Sequence, residues 1–141
     1  MGPLLTDQEA FDQLSYYTLS HGDPSFIHQL VVDAYAAQHA SEASKPIYAA
    51  FALAGLCLHN ERGLTGKEVQ LAHMRLARHK KDIPLLRLPP QRGTLTVHDV
   101  LAREAGGERD VAIEMWSATT WEALAELHEE VERWLRSEKE I

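Results

Sequence analysis

The sequence predicts an all-α fold, a compact bundle of about five to six helices. Three observations carry this reading. No run of four to eight residues alternates apolar and polar between turn signals, as a half-buried strand would. Two helix starts are written as capping boxes, Thr6 with Glu9 and Thr65 with Glu68. Two successive stretches, from Pro24 and from Lys45, are apolar nearly all the way round, the pattern of helices enclosed by others.

The first helix is expected from about Asp7 to Leu19, with Phe11, Leu14, Tyr17 and Thr18 on its inner face and Tyr16 at the edge. Gly22 suits its C-terminus, Asp23 an N-cap, and Pro24 the first position of a second helix reaching about His39. On that helix Phe26, Ile27, Leu30, Val31, Ala34 and Tyr35 form a wide stripe that includes Gln38. Gln29, Asp33 and Ala40 mark the opposite and wetter edge, and His28, Val32, Tyr35 and His39 share a shoulder. Pro46 opens a third helix, Lys45 to about Arg62, closed by Gly63 as a left-handed cap. The fourth runs from Thr65 to about Lys81. Pro84, Pro89, Pro90 and Gly93 then make residues 82–95 a connector. Thr96 caps a short helix, Val97 to Ala105, stopped by Gly106 and Gly107. The remainder, to about Arg136, spaces Ile113, Trp116, Thr120, Leu124, Leu127, Val131 and Trp134 by three and four. That predicts one long helix with a weak centre at residues 117–120.

A length of 141 residues suits a single domain, 1–141, able to bury a core without disulfides. The one cysteine, Cys57, sits in an apolar run and reads as a buried, inert thiol in a reducing compartment. The opening Met1-Gly2-Pro3-Leu4-Leu5 lacks the pattern of a secretion signal, so a cytoplasmic location is expected. The longest apolar run, residues 47–58, is too short for a bilayer, so no membrane partner is expected. A net charge of −7 argues against nucleic acid as partner. The basic run Arg75, Arg78, His79, Lys80, Lys81, with Arg87 and Arg92 beyond, suits a helix C-terminus facing the acidic last segment.

Several segments are similar to an uncharacterised bacterial family catalogued as a domain of unknown function. They are His28 with the run Val32-Asp33-Ala34-Tyr35-Ala36-Ala37-Gln38-His39, then Leu56-Cys57-Leu58 with Glu61-Arg62-Gly63, and Leu95-Thr96-Val97 with Asp99-Val100. The tryptophan-bearing C-terminal segment resembles it too. The resemblance implies one helical domain and no activity. Many members carry an N-terminal Cys-x-x-Cys that this chain lacks, so no zinc ribbon carries over.

The chemistry-bearing residues concentrate on the second helix. His28 and His39 lie about 16 Å apart along its axis and cannot share a ligand. If the second and third helices form an antiparallel hairpin, levels pair where residue numbers sum to about 85–87, as those of His28 and His59 do. The expected pocket is therefore His28, His59, Asp33, Tyr35, Tyr17 and Gln38, with His39 at the far end and His21, Glu61 and His73 within reach. Two readings stand side by side. In one, the polar cluster serves a small helical binding or interaction domain whose partner is a small molecule or a protein. In the other, His28 and His59 ligate a divalent metal such as zinc in a hydrolase, with Asp33 or Glu61 as ligand or base. Nucleophilic catalysis is not supported, because no Gly-x-Ser-x-Gly or comparable pattern occurs. Self-association as a homo-oligomer stays open.

Overall fold

The computed structural model describes residues 4–138 and 141, and the side chains of all of these except Lys80 and Lys81 of the basic run. Met1, Gly2 and Pro3 of the N-terminal reading lie outside the described residues. Seven α-helices and no strand are found among the described residues: α1 Asp7–Leu19, α2 His28–His39, α3 Pro46–Arg62, α4 Gly66–Leu76, α5 Val97–Leu101, α6 Gly107–Ala123 and α7 His128–Ser137. No helix among them is long and apolar enough to cross a membrane.

The helix starts follow local chemistry. In α1 the Glu9 amide donates to Thr6 Oγ1 at 3.1 Å and the Thr6 amide donates to Glu9 Oε1 at 2.9 Å. Thr65 and Glu68 repeat the exchange at α4, at 3.2 and 2.9 Å. Each box satisfies amides that the first turn of a helix leaves without partners. Gly63 closes α3 in the left-handed region, φ 70°, where a β-carbon would be strained.

Four boundaries depart from the sequence reading; one is the end of α5, at Leu101 and not Ala105. α2 begins at His28, not Pro24, because the Asp23 carboxylate accepts from the Ser25 and Ile27 amides, both at 2.9 Å, and folds residues 23–27 into a turn. Phe26 takes φ 57° inside it, which no α-helix accommodates. α4 ends at Leu76, and residues 77–82 form a tighter 3-10 segment kinked at His79 (φ −123°, ψ 49°). The C-terminal segment breaks at Leu124, not at residues 117–120. There the His128 ring stacks on Trp121, centroids 3.7 Å apart, and its Nε2–H donates to the Trp121 carbonyl at 2.7 Å. Ser117 and Thr120 are instead buried inside α6 with partners from other helices.

α3 is the central element, touching α2, α4, α6 and α7. Ala49, Ala50, Ala52, Ala54 and Gly55 are small enough for α2 to come close, and Leu53, Leu56 and Leu58 fill the space around them. Leu14, Val31, Val69, Leu76, Ile113, Trp116, Leu124 and Leu135 complete a core drawn from α1, α2, α4, α6, the break at Leu124 and α7. α5 packs on α1 and α6, and so brings the end of the connector back to the start of the chain. That return positions the candidate site.

Candidate functional site

The wetter edge assigned to α2 is in fact buried: Gln29, Asp33 and Ala40 all turn inward. Asp33 presses its carboxyl against Gly55 of α3, so a β-carbon there would lie 1.9 Å from Oδ2. The Gln29 amide donates to Asp33 Oδ1 at 3.2 Å and lies 3.4 Å from His73 Nδ1. His73 Nε2 lies 2.8 Å from the Phe51 carbonyl, which places a proton on Nε2 and leaves Nδ1 as the acceptor for Gln29. Burial pushes the Asp33 carboxyl well above the usual range, against the opposing Gln29 bond, and burial likewise lowers His73. His73 Nε2 lies 3.9 Å from Asp33 Oδ1, and burial disfavours the charged form of each. This network joins α2, α3 and α4.

His28 and His59 are not brought together. His28 Nδ1 is hydrogen-bonded to Thr18 Oγ1 of α1 at 2.8 Å, and burial holds its pKa down. His59 faces the other way. Its Nδ1 lies 2.7 Å from the Leu64 carbonyl and its Nε2 2.6 Å from Glu114 Oε2 of α6. Both nitrogens meet acceptors, and the Glu114 bond raises the His59 pKa. The level pairing of α2 with α3 is close to the expected one, since Asp33 meets Gly55. The two imidazoles take partners on different helices, Thr18 of α1 and Glu114 of α6.

Tyr17 and Tyr35 are also placed apart. The Tyr17 hydroxyl donates to Asp110 Oδ1 at 2.7 Å and accepts from the Gly106 amide at 2.8 Å, at the start of α6. The Arg109 guanidinium lies over its ring. Tyr35 is stacked between Phe11 and His39, at 4.3 and 3.9 Å. Glu61 accepts the Trp121 indole N–H at 2.7 Å. Among the described residues no three His, Cys, Asp or Glu side chains converge to hold a metal. The expected His28 and His59 pair thus has no third ligand beside it among the described residues.

Polar side chains do converge at the C-terminal end of α2. Gln38 donates from Nε2 to the Arg92 and Leu95 carbonyls, at 3.0 and 2.8 Å, and its Oε1 accepts the buried Trp116 indole N–H at 3.0 Å. Arg92 donates from Nε to the Pro89 carbonyl at 2.7 Å, and from Nη1 to the carbonyls of Ala37 and Ala40, whose α2 turn would otherwise end unpaired. His39 approaches the Tyr35 carbonyl through Nδ1 at 2.8 Å and Asp7 Oδ2 through Nε2 at 3.0 Å. His98 of α5 lies 2.7 Å from the other Asp7 oxygen. These two bonds hold the Asp7 carboxyl below its ordinary pKa.

Asp7, Gln38, His39, Gln91, Arg92 and Thr96 surround a cavity of about 230 Å³. A second concavity beside Tyr16, Tyr17 and Arg109, about 600 Å³, is a wider and shallower surface. Of the residues named from sequence, only Gln38 and His39 belong to the first cavity. Asp7, Arg92 and His98 were missed as site residues. Asp7 and His98 stand 91 positions apart, and Arg92 reads as one cation of a basic run, so no local spacing could have paired them.

Comparison with known proteins places the chain in a family. The model of a family of unknown function (DUF5946) matches residues 7–125, and the chain belongs to that family. No curated protein and no solved structure matches it.

Proposed function

We propose that this chain is a binding domain for a small polar molecule, held in the cavity at the C-terminal end of α2. One observation carries the reading: the polar groups around the cavity are fixed before any ligand arrives. Arg92 is tied to three backbone carbonyls, Gln38 to two carbonyls and an indole, and Asp7 to two imidazoles. Side chains already held in place lose little entropy on binding, which is what makes a small polar site effective. The one hydroxyl named in the lining, Thr96 Oγ1, donates to Asp99 Oδ2 at 3.2 Å as part of the α5 cap, which supports recognition over covalent chemistry.

Amide chemical-shift mapping of the full chain against a library of small polar compounds tests this. Binders should move the amides of Asp7, His39, Arg92 and Thr96 together and saturably. Binders that instead cluster on Tyr16 and Arg109, or a library with no binder at all, would overturn the assignment.

A further inference from the structure

The cavity carries an electrostatic feature that narrows its ligand. Asp7 and Arg92 both line it, yet no ion pair of 4.0 Å or less joins them among the described residues. Each is pinned elsewhere. Arg92 is committed through Nε and Nη1 to backbone carbonyls, and its Nη2 has no hydrogen bond among the described residues. Each Asp7 oxygen takes one imidazole, and the side chain remains 59% exposed, so further lone pairs face outward. An anionic and a cationic side chain, each held by other partners, thus both line a space of about 230 Å³.

We propose that the cavity takes a small dipolar ligand, an ammonium and a carboxylate joined by a short chain, with the ammonium on Asp7 and the carboxylate on Arg92. This rests on the binding-domain reading and adds the ligand class. A simple anion drawn to Arg92 also faces the Asp7 carboxylate, and a simple cation drawn to Asp7 faces the guanidinium. Within one small cavity each gains one attraction and suffers one repulsion. A ligand with both charges turns both contacts into attractions, with the Nη2 hydrogens of Arg92 left to meet its carboxylate. The ring of His39, bonded to Asp7 and stacked on Tyr35, walls the anionic end without occupying it.

The test titrates the isotope-labelled full chain with glycine, beta-alanine and gamma-aminobutyrate, which increase the charge separation stepwise. Acetate and ethylammonium, singly and as an equimolar mixture, are the controls. For ligands of so few atoms, roughly millimolar affinity is expected. At least one zwitterion should shift the Asp7, His39 and Arg92 amides saturably, about tenfold more tightly than either single-charge control. Asp7→Asn should remove that advantage, and Asp7→Glu should move the preference toward a shorter zwitterion. Circular dichroism confirms that both variants keep their helices, and if Asp7→Asn unfolds, Asp7→Glu decides. Equal binding of acetate or ethylammonium at these amides would overturn the dipolar ligand and leave the binding site standing. No zwitterion shift up to about 50 mM, well beyond the roughly millimolar range expected, would overturn it too. So would zwitterion binding unchanged by Asp7→Asn, or a preference unmoved by Asp7→Glu.

Discussion

Gly55→Ala tests the packing that fixes the α2–α3 hairpin. The added β-carbon would lie 1.9 Å from Asp33 Oδ2, 2.5 Å from Cγ and 3.1 Å from Oδ1. Ordinary contact needs about 3.4–4 Å, so the carboxyl must move by well over an ångström. Asp33 is enclosed and has nowhere to turn without losing its Gln29 bond. Overpacking costs about 1–3 kcal/mol and a buried partner left unsatisfied about 1–3 kcal/mol. Helix propensity returns only about 1 kcal/mol when alanine replaces glycine. The expected net loss is about 2–4 kcal/mol, read as a lower urea midpoint at unchanged slope. Asp33→Ala removes the obstructing atoms, so Asp33→Ala/Gly55→Ala should be more stable than the two single losses predict, by more than about 1 kcal/mol. A neutral or stabilising Gly55→Ala, or strict additivity of the pair, would refute the close approach.

Three further outcomes follow from the same contacts. The His59 pKa is raised by Glu114, so this pair stabilises fully below the unfolded imidazole value, about 6.5, and its contribution fades as pH rises through the folded value. Because Glu114 is more than half exposed the effect is small, under about 1 kcal/mol, and Glu114→Gln should flatten the fall of the urea midpoint as pH rises above about 6.5. The Asp7 pKa is lowered, with the opposite sign: its contribution is present above about pH 3.9 and disappears as pH falls through the folded value, and Asp7→Asn should remove that acid dependence. Gln38→Leu leaves the Trp116 indole and the Arg92 and Leu95 carbonyls without their partner; it should cost roughly 1–3 kcal/mol and speed amide exchange across residues 92–97, and slow exchange there would contradict the anchoring role.

Much of the fold was legible because its signals are local. Thr6 with Glu9, Thr65 with Glu68, and Gly63 each fix a helix end through atoms three or four residues away. The all-round apolarity of residues 47–58 marked α3 as central for the same reason: its faces are written in one short stretch. The site was less legible. Gln38 stood out as a polar residue inside an apolar stripe, and the structure shows why: it pairs with Trp116 and the connector.

What the sequence determined by itself is the helical class and most helix ends. Tertiary structure decided the azimuths and the partners. An edge polar enough to read as wet became buried because His73 and Gly55, from two other helices, accommodate Gln29 and Asp33. His28 and His59 took partners on different helices, Thr18 of α1 and Glu114 of α6, which a level count does not reveal. The Asp23 turn shortened α2, and the Trp121–His128 stack placed the break at Leu124. The cavity itself exists only because α5 folds back on α1 and sets His98 beside Asp7. Capping and periodicity act over a few residues and can be read along the chain. A carboxylate shared by imidazoles 32 and 91 positions away depends on how whole helices pack.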